Sequence, residues 1–195
     1  MGVSTLGLIR SDYRAWRQGV GALQTLSQEG LWVTVIYRLR HRLNADPPVP
    51  GRLLFRALIY PIAKFMKLLV GASLNPAGVI GPGFRLVHGG SVFLGGRMVM
   101  GADCMVYHEV TIGPSALSSM DYPVIGDRVR IFPGAKVLGG ITIGDDAVIG
   151  ANSVVIEDVP AGAVVAGNPA RVVRIREKGG DEIGADSDEA APTAT

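Results

Sequence analysis

The sequence is short of several things, and each shortage excludes a class. Cys104 is its one cysteine, so a disulfide scaffold is excluded. A lone thiol fits a reducing compartment, and a cytoplasmic location is the expectation. Aromatic residues make up 6% of the chain, and charged residues 18% against an ordinary share of about 25%. At 48% hydrophobic, the chain can bury a core and is not disordered as a whole. No strict Gly-X-Y period appears, which excludes collagen. Met1 to Arg10 lacks a charged start followed by a long apolar run, so no signal peptide is expected. No stretch of about 18 apolar residues is free of charge, so no transmembrane helix is expected. The nearest, Leu53 to Val70, is broken by Arg56, Lys64 and Lys67. No metal-ligand spacing is assigned.

Glycine is what the chain has in excess: 27 of 195 residues, about twice the ordinary ~7%. Eighteen of them lie between Gly71 and Gly167. The net charge of +2 also conceals three segments. Residues 1–70 carry ten bases and three acids, a net of +7; residues 71–177 carry eight bases and nine acids, a net of −1; residues 178–195 carry one base and five acids, a net of −4. The acidic tail is Gly/Asp/Glu/Ala-rich and is expected to be disordered. Nucleic-acid binding is not expected, because the central segment is nearly neutral and holds no recognised binding motif.

Residues 1–70 are expected to be helical. One helix is predicted from Leu31 to Asn44, with Leu31, Val35, Leu39 and Leu43 repeating every four residues. Trp32 and Ile36 widen that stripe, while Thr34, Arg38 and His41 fall on the far, solvent side. Pro47 to Gly51 reads as a loop. A second helix is predicted from Arg52 to Val70, kinked at Pro61. On it Arg52, Arg56, Lys64 and Lys67 fall within about 120°, opposite Leu54, Leu58, Ile62 and Phe65. Residues 52–70 can therefore rest on an anionic inner membrane surface, or cap the following domain and pack between subunits.

From Gly71 the period becomes six. Leu94, Met100, Val106 and Ile112 are six apart, and Ile125, Ile131, Val137, Ile143, Ile149 and Val155 continue the spacing. Such a period fits neither an α-helix nor a hairpin; it is the hexapeptide repeat of a parallel β-helix. Three hexads make a triangular coil of about 18 residues, whose apolar residues stack on one another at roughly 4.8 Å. Gly81, Gly95, Gly101, Gly113, Gly126, Gly144 and Gly150 follow the inward residue and are expected to relieve tight corners.

Leu86 and Val106 each precede a histidine by two and are 20 apart, one coil plus two. An insertion of two residues at 88–93 would stack His108 one coil from His88. Histidine titrates near neutrality and suits a general base. His88 is the candidate base; His108 orients it, binds the acceptor, or decorates a solvent edge. Ile112 to Ile125 spans 13, so the coil makes an excursion at Pro114 to Tyr122. Asp121 and Tyr122 are its candidate acceptor contacts, as a lid or simply a solvent loop.

With Asn75-Pro76-Ala77, His88-Gly89-Gly90, Val110-Thr111-Ile112-Gly113 and Gly167-Asn168-Pro169-Ala170-Arg171, the repeat resembles hexapeptide acyltransferases. Within these it is most similar to serine O-acetyltransferases and relatives from exopolysaccharide gene clusters. The resemblance implies a mostly β fold, a left-handed parallel β-helix with an N-terminal helical segment. It also implies a homotrimer, with acetyl-CoA as co-substrate in a groove between neighbouring subunits. Candidate contacts for that co-substrate are Lys136, Arg171 and Arg174 for phosphates, and Gly139, Gly140, Ala151 and Asn152 at corners.

Three family positions differ. The Asp before the base His is Val87, the His of Arg-His-Pro is Tyr122, and Asp-Ile-His-Pro has become Ser73-Leu74-Asn75-Pro76. In the family these groups orient the base and hold the amino acid, so the expected acceptor is a sugar or polysaccharide-precursor hydroxyl. Serine is the second reading, and a non-catalytic β-helix scaffold the third.

Overall fold

A computed structural model describes residues 4–18, 21–44, 51–116 and 120–176. The Pro47 loop up to Pro50 and the acidic tail lie outside the described residues. Four helices open the described chain: α1 (Thr5–Trp16), α2 (Ala22–Leu26), α3 (Glu29–Asn44) and α4 (Arg52–Val70). Ser4 caps α1 through its side chain, which accepts from the Gly7 N–H, and α4 runs through Pro61 to Gly71. Gly71 takes a left-handed conformation that suits a residue without Cβ.

Fourteen short strands then wind around three faces, and a fifteenth folds back. The first sheet holds β1 (Ser73–Leu74), β4 (Phe93–Leu94), β7 (Thr111–Gly113), β10 (Lys136–Leu138) and β13 (Val154–Val155), in that order. The second holds β2 (Val79–Ile80), β5 (Val99–Met100), β8 (Val124–Ile125) and β11 (Thr142–Ile143). The third holds β3 (Arg85–Leu86), β6 (Met105–Val106), β9 (Arg130–Ile131), β12 (Val148–Ile149), β14 (Ala163–Gly167) and β15 (Ala170–Ile175). From β1 to β13 each strand passes to the next sheet, β14 returns directly to the third sheet, and all pairings except β14 with β15 are parallel. These parallel sheets fit a hexapeptide-repeat β-helix.

The six-residue period sorts side chains as the repeat requires. Leu94, Met100, Val106, Ile112, Ile125, Ile131, Val137, Ile143, Ile149 and Val155 are all buried in one continuous core. One inward side chain per strand, stacked on its neighbour a coil away, replaces the bulky aromatic core that this chain lacks.

Two expectations are corrected. The glycines after inward residues do not relieve left-handed corners. All but Gly113 sit where the next coil's backbone passes: a Cβ on Gly81 would lie 2.5 Å from the Gly101 carbonyl carbon. The left-handed positions are instead shared between other glycines, such as Gly83 and Gly134, and polar residues, among them Asp103, Asp146 and Asn152, which tolerate that conformation when a side chain can bond locally.

The inward face of α3 is also shifted from the expected one: Leu31 and Leu43 are buried as expected, but Val35, Ile36 and Leu39 are only half-buried. Thr34 and Arg38 are buried, Trp32 is exposed, and His41 is half-buried with Nδ1 2.9 Å from the Pro76 carbonyl. The cause is a buried ion pair. Arg38 Nε donates to Asp12 Oδ2 at 2.9 Å, and both side chains are 1% exposed. Arg38 also donates to the Ile80 and Gly81 carbonyls, while Phe84 N–H donates to Asp12 Oδ1 at 3.0 Å. Gly30 permits the close approach, since a Cβ there would lie 1.9 Å from the Leu86 carbonyl oxygen. The helices are thereby pinned to the first coil.

Candidate functional site

The third-to-first-sheet corner carries both histidines. Leu86 pairs with Val106, 20 residues on, whereas Leu94 pairs with Ile112, 18 residues on. The two extra residues therefore lie between Leu86 and Leu94. Val87 N–H still donates to Val106 O, and Glu109 N–H donates to Gly90 O, so His88-Gly89 is the surplus dipeptide. It bulges from the coil with His88 in a left-handed conformation, φ 55°.

The bulge brings the two rings together. His88 and His108 have centroids 6.2 Å apart and planes at 63°, an edge contact. His88 is exposed and His108 half-buried. His108 Nδ1 is buried and has no hydrogen-bond partner. A buried polar atom left open in this way suits a partner that arrives with a ligand. A carboxylate reaches the same bulge from the helical segment: Gly89 N–H donates to Glu29 Oε1 at 3.3 Å, at the start of α3. No local motif points to Glu29, because it is 60 residues from the bulge.

The other expected site residues divide between corners. Gly134 N–H donates to His108 O and Asn152 N–H to Pro133 O, so Pro133 and Ala151 lie beneath His108 in one column. Ala151 is then about 10 Å from His108 at the spacing of adjacent strands. Asn152 is in a left-handed conformation at this corner. Lys136 ties in from the same side, its Nζ donating to the Glu109 carbonyl at 2.6 Å. Gly139 and Gly140 sit at the next corner, where Asp121 Cβ would lie 2.9 Å from a Cβ on Gly140. Tyr122 packs against the core beside Gly95 at that corner too.

Asp121 and Tyr122 thus lie across the first sheet from the histidines, roughly 15 Å away along β7. Within one chain they do not meet the candidate base. Arg171 is exposed near Glu157 Oε1 at 3.4 Å, and Arg174 is exposed on β15. Among the described residues, no three His, Cys, Asp or Glu side chains gather as a metal site.

Comparison with known proteins agrees with this architecture. Residues 122–157 match the family model described as bacterial transferase hexapeptide (six repeats). The chain is 38% identical to a serine acetyltransferase of Mycobacterium tuberculosis over 174 residues, which is 86% of this chain and 73% of that protein. It superposes on the crystal structure of Neisseria gonorrhoeae serine acetyltransferase with a TM-score of 0.77 and 32% identity, covering 89% of this chain and 68% of that one. A serine acetyltransferase in complex with CoA gives a TM-score of 0.73 at 29% identity, covering 87% and 70%.

These relatives overturn the expected sugar or polysaccharide-precursor acceptor, since they are serine acetyltransferases across most of the chain. The inference from Val87 and Tyr122 failed for a physical reason. The changed motif positions do not reveal that a carboxylate from another element, Glu29, bonds the Gly89 N–H at the His88 bulge.

Proposed function

The chain belongs to the serine acetyltransferase family and is an O-acetyltransferase with acetyl-CoA as co-substrate, and we propose that it acetylates the hydroxyl of serine with His88 as general base. The observation that carries this reading is the His88–His108 edge contact on the surplus dipeptide.

His88 takes the proton of the acceptor hydroxyl as its oxygen attacks the thioester carbonyl carbon. The co-substrate supplies that activated carbonyl and a thiolate leaving group. Backbone N–H groups at the corner stabilise the developing oxyanion. As the carbon–sulfur bond breaks, the imidazolium of His88 returns its proton to the departing sulfur. No covalent enzyme intermediate is needed.

His108 holds the His88 ring at an angle and offers its open Nδ1 to the bound acceptor. Glu29 replaces the carboxylate absent at Val87 and receives the serine ammonium. Lys136, Ala151 and Asn152 line the way for the co-substrate along the same corner, with Gly139, Gly140, Arg171 and Arg174 at its borders.

In this reading the coil is left-handed and three copies assemble with parallel axes. The separation of Asp121 and Tyr122 from His88 supports a trimer: Asp121 and Tyr122 of one copy then close the histidine corner of the next. Incubation with acetyl-CoA and serine, followed by measurement of free thiol, tests the reaction. Serine-dependent release that disappears in His88→Ala is the expected result. Release with sugars but not serine would refute serine as acceptor.

A further inference from the structure

Helix α4 is attached along one stripe only. Ile59 is its one buried residue, and Met66 and Val70 pack against the core from the same side. At 3.6 residues per turn, Leu54, Leu58, Ile62, Phe65, Leu68 and Leu69 fall within about 120° on the side adjoining that stripe, turned away from the core. All six are exposed, Leu54 at 68%, Leu68 at 81% and Leu69 at 64%. This is a continuous apolar stripe rather than the scattered single residues that a water-facing surface tolerates.

Charge says what covers it. α4 contains no Asp or Glu; Arg56 and Lys67 lie on the side opposite the apolar stripe, and Lys64 lies between that side and the stripe. Between α3, α4 and β1 a cleft of about 200 Å³ is bordered by Arg40, Lys64, Lys67, Tyr60 and Ser73, with no acidic residue in its lining. Arg40 is partly desolvated there, which lowers its pKa from the ordinary value. A desolvated cation without a carboxylate partner favours an anionic ligand. A second copy of α4 brings the same cations and no acid to meet them. The helix is not long and apolar enough to cross a membrane. Apolar outer face, cationic polar face and absence of acids are the features of a helix lying in a lipid interface.

We propose that α4 docks in the interface of an anionic bilayer, with the Arg40–Lys64–Lys67 cleft taking a lipid headgroup phosphate. The apolar stripe enters the acyl boundary while the cations of the polar face, Lys64 foremost, meet the phosphates. This stands independently of the acyl-transfer reading. Should three copies assemble with parallel axes, their α4 helices lie at one end and add avidity.

The test is vesicle flotation of the full chain. Vesicles of phosphatidylcholine with about one-third phosphatidylglycerol should carry it upward, and pure phosphatidylcholine vesicles should carry much less. Leu54→Asp and Leu68→Asp are solvent-facing changes and should each lower the bound fraction at least tenfold. Lys64→Glu should lower it about fivefold or more. Circular dichroism and solution activity of these variants should match the parent. Equal binding to both vesicle types would overturn the electrostatic part. Failure to bind anionic vesicles, with Leu68→Asp dissociating an oligomer in sedimentation velocity, would overturn the proposal and assign α4 to contact between copies.

Discussion

The rings of His88 and His108 meet edge-on at 6.2 Å although the residues belong to successive coils. The contact depends on the surplus His88-Gly89 dipeptide, since an uninterrupted repeat would place Gly90, not His88, above His108. Removal of a general base costs about 10²- to 10⁴-fold. His88→Ala should therefore lower kcat/KM for serine by that factor with unchanged circular dichroism. His108→Ala should cost less, and His108→Gln should recover part of it by restoring a polar atom. Parent-like rates in both alanine variants would remove the pair from the mechanism.

Glu29 gives a separate readout. Its carboxylate bonds the Gly89 N–H, and in the proposed complex it also receives an ammonium. A hydrogen bond to a charged group contributes about 1.5–3 kcal/mol, or roughly 10- to 150-fold. Glu29→Gln should raise KM for serine by about tenfold or more, on that scale, with KM for acetyl-CoA little changed. A rise in both constants together would mean that the bulge has merely moved.

The Asp12–Arg38 pair predicts a large stability effect away from the chemistry. Each partner is 1% exposed, and both also bond the backbone of the first coil. Truncating one partner of a buried pair leaves an uncompensated charge and costs about 3–5 kcal/mol. Asp12→Ala should shift the urea midpoint downward by a corresponding amount. The same pair explains what was hidden in the sequence. Arg38 looks like a solvent residue on a helical wheel, and its partner is 26 residues away. By contrast the hexads expose the inward residue of each strand, and counting 20 against 18 locates the histidine bulge. Local period and spacing are written along the chain. Contacts between distant elements, such as Glu29 with Gly89, leave no periodic trace.

Cys104 sets the last prediction. It is buried in the core, its Sγ donating to the Gly126 carbonyl at 3.2 Å. Burial pushes its thiol up from 9.0 to about 12, and burial likewise raises Tyr37 from 10.0 to about 12. Because the thiolate is the nucleophile, the native thiol should resist a disulfide reagent near pH 8 and react only on unfolding. It then adds no background to a free-thiol assay of acetyl transfer. The linkage has a defined sign. Both groups hold their protons more tightly when folded, so their contribution is fully present below pH 9 and is lost as pH rises toward 12. The urea midpoint should therefore fall across that window, and Cys104→Ala combined with Tyr37→Phe should flatten the fall. A midpoint that stays flat between pH 9 and 12 would contradict the burial of both groups, because solvent-exposed groups titrate alike in the folded and unfolded chain and contribute no slope.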